Sequence, residues 1–118
     1  MSEDILTVEP EITVREAAQR MSERNAGAAV VVDTSSGGSP GIITERDVLE
    51  SVAAGHNPDE QHVSGSSSAD AVTVPVDSSL EQAVQKMEEG AFRHLLVVKG
   101  EDTVGIVSIR DLVRALTG

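Results

Sequence analysis

Two heptads hold the residues best suited to chemistry: GIITERD at 41–47 and GIVSIRD at 105–111, 64 positions apart (105 less 41). Each sets a hydroxyl three residues ahead of a carboxylate, Thr44 with Asp47 and Ser108 with Asp111. At the start of a helix this spacing forms a capping box, in which hydroxyl and carboxylate each satisfy an orphan amide. The same arrangement can hold a ligand. A helix N-terminus presents unpaired N–H groups and the positive end of its dipole to a phosphate or a cluster of hydroxyls. A carboxylate there can accept both hydroxyls of a ribose. The leading glycine admits a close approach to the backbone, and the β-branched pair after it offers an apolar wall to a flat base.

A second candidate is Arg93-His94 in AFRHLLVV, at the entry to an apolar run. The guanidinium is a planar set of donors for phosphate, and the imidazole adds a donor whose charge changes near neutral pH. The alternative is that both are ordinary polar residues at a strand edge. Arg46 and Arg110, inside the heptads, are suited equally to assisting a phosphate and to facing solvent. His56 and His62 flank Asn57-Pro58-Asp59-Glu60-Gln61, but six-residue spacing in a loop fixes no coordination geometry, so no metal is expected. Catalysis needs a nucleophile beside a base or paired carboxylates, and no third group is evident to orient His94. The chain is expected not to be an enzyme and to need no cofactor.

These groups must be positioned by one domain-sized chain of 118 residues, with no apolar stretch long enough to cross a membrane and no cysteine. A cytoplasmic protein with no membrane partner is the expectation. The net charge of −11, from 20 acidic and nine basic residues, argues against a nucleic-acid partner, which calls for clustered Lys and Arg. The acidic residues are dispersed rather than gathered in a tail. That dispersal matches the surface of a protein from a salt-loving organism, expected to be an archaeon, better than an acidic patch for a basic partner.

The heptads belong to a longer internal repeat. LTVEPEITVREAAQRMSERNAGAAVVVD aligns with VTVPVDSSLEQAVQKMEEGAFRHLLVVK, matching Thr7-Val8 with Thr73-Val74, Ala17 with Ala83 and Met21 with Met87. In each copy a short β-rich start (6–8; 72–74) precedes an amphipathic helix. Its apolar face carries Val14, Ala17, Ala18 and Met21, or Leu80, Val84 and Met87. Two apolar runs follow (28–32 and 41–43; 95–98 and 104–107), reading as strands covered on both faces. A last helix is predicted over 45–54 and over 109–116. The polar stretch GHNPDEQHVSGSSSAD reads as a connector, with domain bounds of 1–57 for the first repeat, 58–70 for the linker and 71–118 for the second repeat.

This α/β chain, a β-α-β-β-α unit written twice, resembles the CBS domain pair, or Bateman module, over nearly its whole length. The residues carrying the likeness are the two heptads, Thr7-Val8, Thr73-Val74 and FRHLLVV. A further short strand and helix usually precede the first TV in that family and are not seen here. The resemblance implies two pseudo-symmetric repeats packed through their sheets, with two clefts that take AMP, ADP, ATP or S-adenosylmethionine. It implies that Asp47 and Asp111 hold ribose, and that Thr44 and Ser108 touch sugar or α-phosphate. Val8, Val74, Ile42 and Ile106 would line an adenine slot. It also implies unequal clefts: Asp47 would act with Arg93 and His94, whereas Asp111 would meet only Gly27 and Ala28. The expected function is a regulatory sensor of an adenosine nucleotide, acting as a homodimer on an unidentified regulated protein. The alternative is a ligand-free dimerisation module.

Overall fold

Thr13 and Ser79 occupy equivalent positions in the two repeats, and each opens a helix. The Thr13 hydroxyl accepts from the Glu16 amide at 3.2 Å. Ser79 goes further and exchanges bonds with Gln82: the Gln82 amide donates to Ser79 Oγ at 3.1 Å, and the Ser79 amide donates to Gln82 Oε1 at 2.9 Å. The computed structural model describes residues 5–32, 40–67, 72–90, 94–100 and 102–108.

Two units emerge, Leu6–Ala71 and Val72–Gly118 together with Met1–Ile5. The first contains β1 (Thr7–Val8), α1 (Val14–Glu23), β2 (Ala28–Val31), β3 (Gly41–Thr44), α2 (Glu45–Ala53) and a short α3 (Val63–Ser66). The second contains β4 (Thr73–Pro75), α4 (Leu80–Gly90), β5 (His94–Lys99) and β6 (Asp102–Ser108). The helix expected over 109–116 lies outside the described residues. Among the described residues each unit has one three-stranded sheet, ordered β1-β2-β3 or β4-β5-β6. The first two strands of each are parallel across a helical crossover, and the third returns antiparallel.

Asn25, with a φ of 51°, ends α1: the chain turns left-handed there, and the Ala26 amide bonds the Met21 carbonyl at 2.8 Å. On the helix-covered face of the first sheet, Val8, Ala29, Val31 and Ile43 pack with Leu6, Ala17, Met21 and Val63. In the second unit Val74, Leu95, Val97 and Val107 pack with Ala83 and Met87. The opposite faces are apolar as well, with Ala28, Val30 and Ile42 buried in one sheet and Leu96 in the other. This agrees with the continuous apolar runs.

Within the polar stretch read as a connector, the described residues 55–67 pack on the first unit. Thr13 and His62 form an antiparallel bridge. The Val14 amide donates to the Gln61 carbonyl at 2.8 Å, the Arg15 amide to the Pro58 carbonyl at 3.0 Å, and the Val63 amide to the Ile12 carbonyl at 2.9 Å. The first two bonds occupy free amides of the first turn of α1, and the third anchors Val63, 0% exposed, in the core.

Candidate functional site

In each sheet the last residue of the third strand faces the first residue or so of the second, and that strand end is where the heptad hydroxyl sits. Ala28 pairs with Thr44 and Val30 with Ile42. His94 pairs with Ser108 and Leu96 with Ile106. Directly opposed residues on an antiparallel pair point to the same face, with β-carbons about 5 Å apart. Thr44 and Ile42 therefore share one face of the first sheet, while His94, Ser108 and Ile106 share one face of the second.

At the first strand end the capping box is fully formed. The Asp47 amide donates to Thr44 Oγ1 at 3.1 Å, and the Thr44 amide donates to Asp47 Oδ2 at 2.8 Å. Both residues are part-buried. The cap uses one carboxylate oxygen and thereby fixes the side chain, leaving Oδ1 outside the cap. Capping and ligand binding are thus compatible at Asp47, since a diol needs only the remaining acceptor capacity. The Glu45 amide bonds the Gly27 carbonyl at 2.9 Å, which ties the start of α2 to the approach to β2. Arg46 is engaged by Glu50, with Nε to Oε1 at 3.1 Å on the exposed side of the helix.

The expected apolar site residues fall on both faces of their sheets. Val8 and Val74, 2% and 4% exposed, lie on the helix-covered faces within the two cores, whereas Ile42 and Ile106 lie on the opposite faces. Val8 and Ile42 thus point to opposite faces of their sheet, as do Val74 and Ile106. Asp47 belongs to the first unit and His94 to the second. His94 stands across from Ser108, and it is Gly27 and Ala28 that adjoin Thr44. Register, which sets parity across a strand pair, is the reason. Arg93 and Asp111 lie outside the described residues.

Other features escaped the sequence reading. Ser51, on α2, is buried, and its hydroxyl accepts from Ser66 Oγ at 3.3 Å, which in turn accepts from Gln61 Nε2 at 3.2 Å. A β-carbon on Gly65 would come within 2.7 Å of Gln61 Nε2, so a larger residue there would displace the Gln61 amide from Ser66. Arg15 makes a two-pronged ion pair with Asp59, whose hydrogen bond and charge push the already high guanidinium pKa further up. A surface groove of about 540 Å³ runs beside α4, lined by Val74, Pro75, Gln82 and Lys86 among others. Lys86 Nζ there donates to the Thr73 carbonyl at 2.8 Å. A helix-face signal was available for Ser51, three residues beyond Val48, but nothing in spacing marks a partner in a distant loop. Among the described residues no His, Asp and Glu cluster has metal-binding geometry, and no helix is long and apolar enough to cross a membrane.

Comparison with known proteins gives the same architecture. The family model described as the CBS domain matches residues 1–54 and 65–118. A 17.7 kDa protein of Acidianus ambivalens is 40% identical over 113 residues, covering 95% of this chain and 67% of that protein. Among solved structures, the hexameric CBS-CP12 protein from bloom-forming cyanobacteria is 26% identical, with a TM-score of 0.90. The match covers 96% of this chain and 66% of that one, so this chain spans slightly less than two thirds of it. A CBS domain protein from Pyrobaculum aerophilum, solved in complex with AMP, is 25% identical with a TM-score of 0.83, covering 100% of this chain and 95% of that one.

Proposed function

The chain belongs to the CBS domain family, and from that premise we propose that it is a regulatory module that senses an adenosine nucleotide, AMP, ADP, ATP or S-adenosylmethionine, and signals its occupancy to a partner protein. The observation that carries the reading is the strand end of the first unit. There a capping box holds the Asp47 carboxylate through Oδ2, and Thr44 of the same box shares a sheet face with the buried side chain of Ile42. A fixed carboxylate beside an apolar wall at a helix N-terminus suits a ribose joined to a flat base. The equivalent end of the second unit carries His94, Ser108 and Ile106, and its sequence neighbours Arg93 and Asp111 supply a phosphate donor and a ribose acceptor. The AMP complex of the Pyrobaculum relative supports adenosine as the ligand class.

Part of the proposal concerns context. We take the protein to be a cytoplasmic homodimer from a halophilic archaeon, with residues of both repeats contributing to nucleotide binding. A ligand-free dimerisation module is the second reading. It is favoured by Leu49 and Val52, 67% and 51% exposed and three residues apart on α2, since apolar side chains open to water on one helix face mark contact surfaces.

A thermal-shift panel of AMP, ADP, ATP and S-adenosylmethionine in molar KCl separates the two. A ligand that binds only the folded state at about 100 times its Kd stabilises by roughly 2.7 kcal/mol, or several degrees in a domain of this size. A shift with at least one of the four is expected. No shift with any of them would leave the dimerisation module.

A further inference from the structure

Glu45, the first residue of α2, turns its carboxyl group back toward β2. A β-carbon built on Gly27 would lie 3.7 Å from its Cδ and 3.8 and 3.9 Å from its two oxygens. The bond from the Glu45 amide to the Gly27 carbonyl fixes the root of this side chain, and the adjoining residue is the capping Thr44. The nearest cation in the heptad, Arg46, is neutralised by Glu50. The second repeat keeps the arginine and a hydroxyl, Arg110 for Arg46 and Ser108 for Thr44, but differs at the other three positions. Ile109 replaces Glu45 (109 less 45 is 64), Arg114 replaces Glu50 (114 less 50 is 64), and Arg93 replaces Gly27 (93 less 27 is 66).

Deepening the adenosine reading, on which it rests, we propose that Glu45 is a specificity-determining residue. It repels phosphate from the strand end of the first unit, so that this end takes the uncharged nucleoside portion of a ligand and discriminates against its phosphates. The helix N-terminus would otherwise attract an anion, and an exposed carboxylate beside it opposes that attraction. One carboxylate and a doubly charged phosphate about 7 Å apart in water repel each other enough to weaken binding about sevenfold. A β-carbon on Gly27 would only touch the end of this flexible side chain at ordinary van der Waals distance, so crowding at Gly27 does not set the preference. Charge is therefore the discriminating quantity.

The test is calorimetric titration of adenosine and of AMP into the full chain and into its Glu45→Gln and Glu45→Lys variants. All are made in an Asp111→Ala background, which weakens the second repeat's end, and studied at 0.2 M and 2 M KCl. Glu45→Gln, nearly isosteric, is expected to tighten AMP about twofold at the lower salt, where a screening length of about 7 Å cuts the unscreened repulsion to about a third, while leaving adenosine affinity unchanged. Glu45→Lys should tighten AMP further, and both gains should shrink at 2 M KCl as the charges are screened. An unchanged ratio of AMP to adenosine affinity in both variants, with adenosine bound, would overturn the inference and leave the adenosine reading standing. Failure of the unmutated chain to bind either compound would overturn the reading and the inference together.

Discussion

Truncating Val63 to alanine tests whether the segment between the repeats is a tether or a part of the first fold. Its side chain is 0% exposed and packs with Leu6, Val8, Ala17 and Ile43. Removing two methyl groups forfeits about 1.6 kcal/mol of transfer free energy at about 0.8 kcal/mol each. The residual cavity adds to that, because the bridge between Thr13 and His62 and the bonds from Val14 and Arg15 prevent the segment from collapsing into the space. A loss of about 2 to 2.5 kcal/mol is expected, a fall in Tm of roughly 8–10 °C at about 4 °C per kcal/mol. The chain has no Trp and no Tyr, so urea unfolding is best followed by far-ultraviolet circular dichroism at fixed KCl. Val76→Ala, at an exposed position away from α2, is the control and should change stability by less than about 0.5 kcal/mol. If Val63→Ala costs no more than that control, the segment is not a structural part of the first unit and the account of the fold is wrong there.

Asp47→Ala should cost about 1 kcal/mol in the absence of ligand, the usual value of a lost cap, and should also abolish most of the AMP-induced rise in Tm. A lost cap with an intact nucleotide response would confine Asp47 to structure. With 20 acidic residues against nine basic ones, Tm should rise as KCl goes from 0.05 M to 2 M, because the screening length is about 10 Å at 0.1 M and about 30 Å at 0.01 M. A Tm unchanged across that range would remove any energetic meaning from the acidic surface. Light scattering at micromolar concentration should return twice the chain mass of 12.3 kDa, and Leu49→Glu should shift the population toward monomer. A monomer mass for the unmutated protein at high salt would refute the dimer.

Much of the architecture could be read from residue order, because periodicity and internal repetition report it directly. The amphipathic spacing of Val14, Ala17 and Met21 marks α1, and the unbroken Ala28–Val31 run marks a strand buried on both faces, as its burial bears out. The capping box of Thr44 and Asp47 was legible because it needs only a spacing of three. What residue types did not disclose was parity and register. Val8 and Ile42 are both β-branched or branched apolar residues near the same motif, yet the pairings Val8 with Val31 and Val30 with Ile42 send them to opposite faces. Register likewise sets His94 against Ser108. The segment around Val63 looked like a loop because a single apolar residue stands among polar ones. Its order comes from main-chain bonds to the first turn of α1, which leave no trace in side-chain pattern.

The central claim is that this chain binds an adenosine nucleotide through its strand ends, and calorimetric titration of AMP into the unmutated protein in molar KCl meets it most directly. The account predicts saturable binding that is lost in the double variant Asp47→Ala with Asp111→Ala while that variant remains folded by circular dichroism. Absence of heat and of competition by ADP, ATP and S-adenosylmethionine, or binding retained undiminished in the double variant, would contradict it.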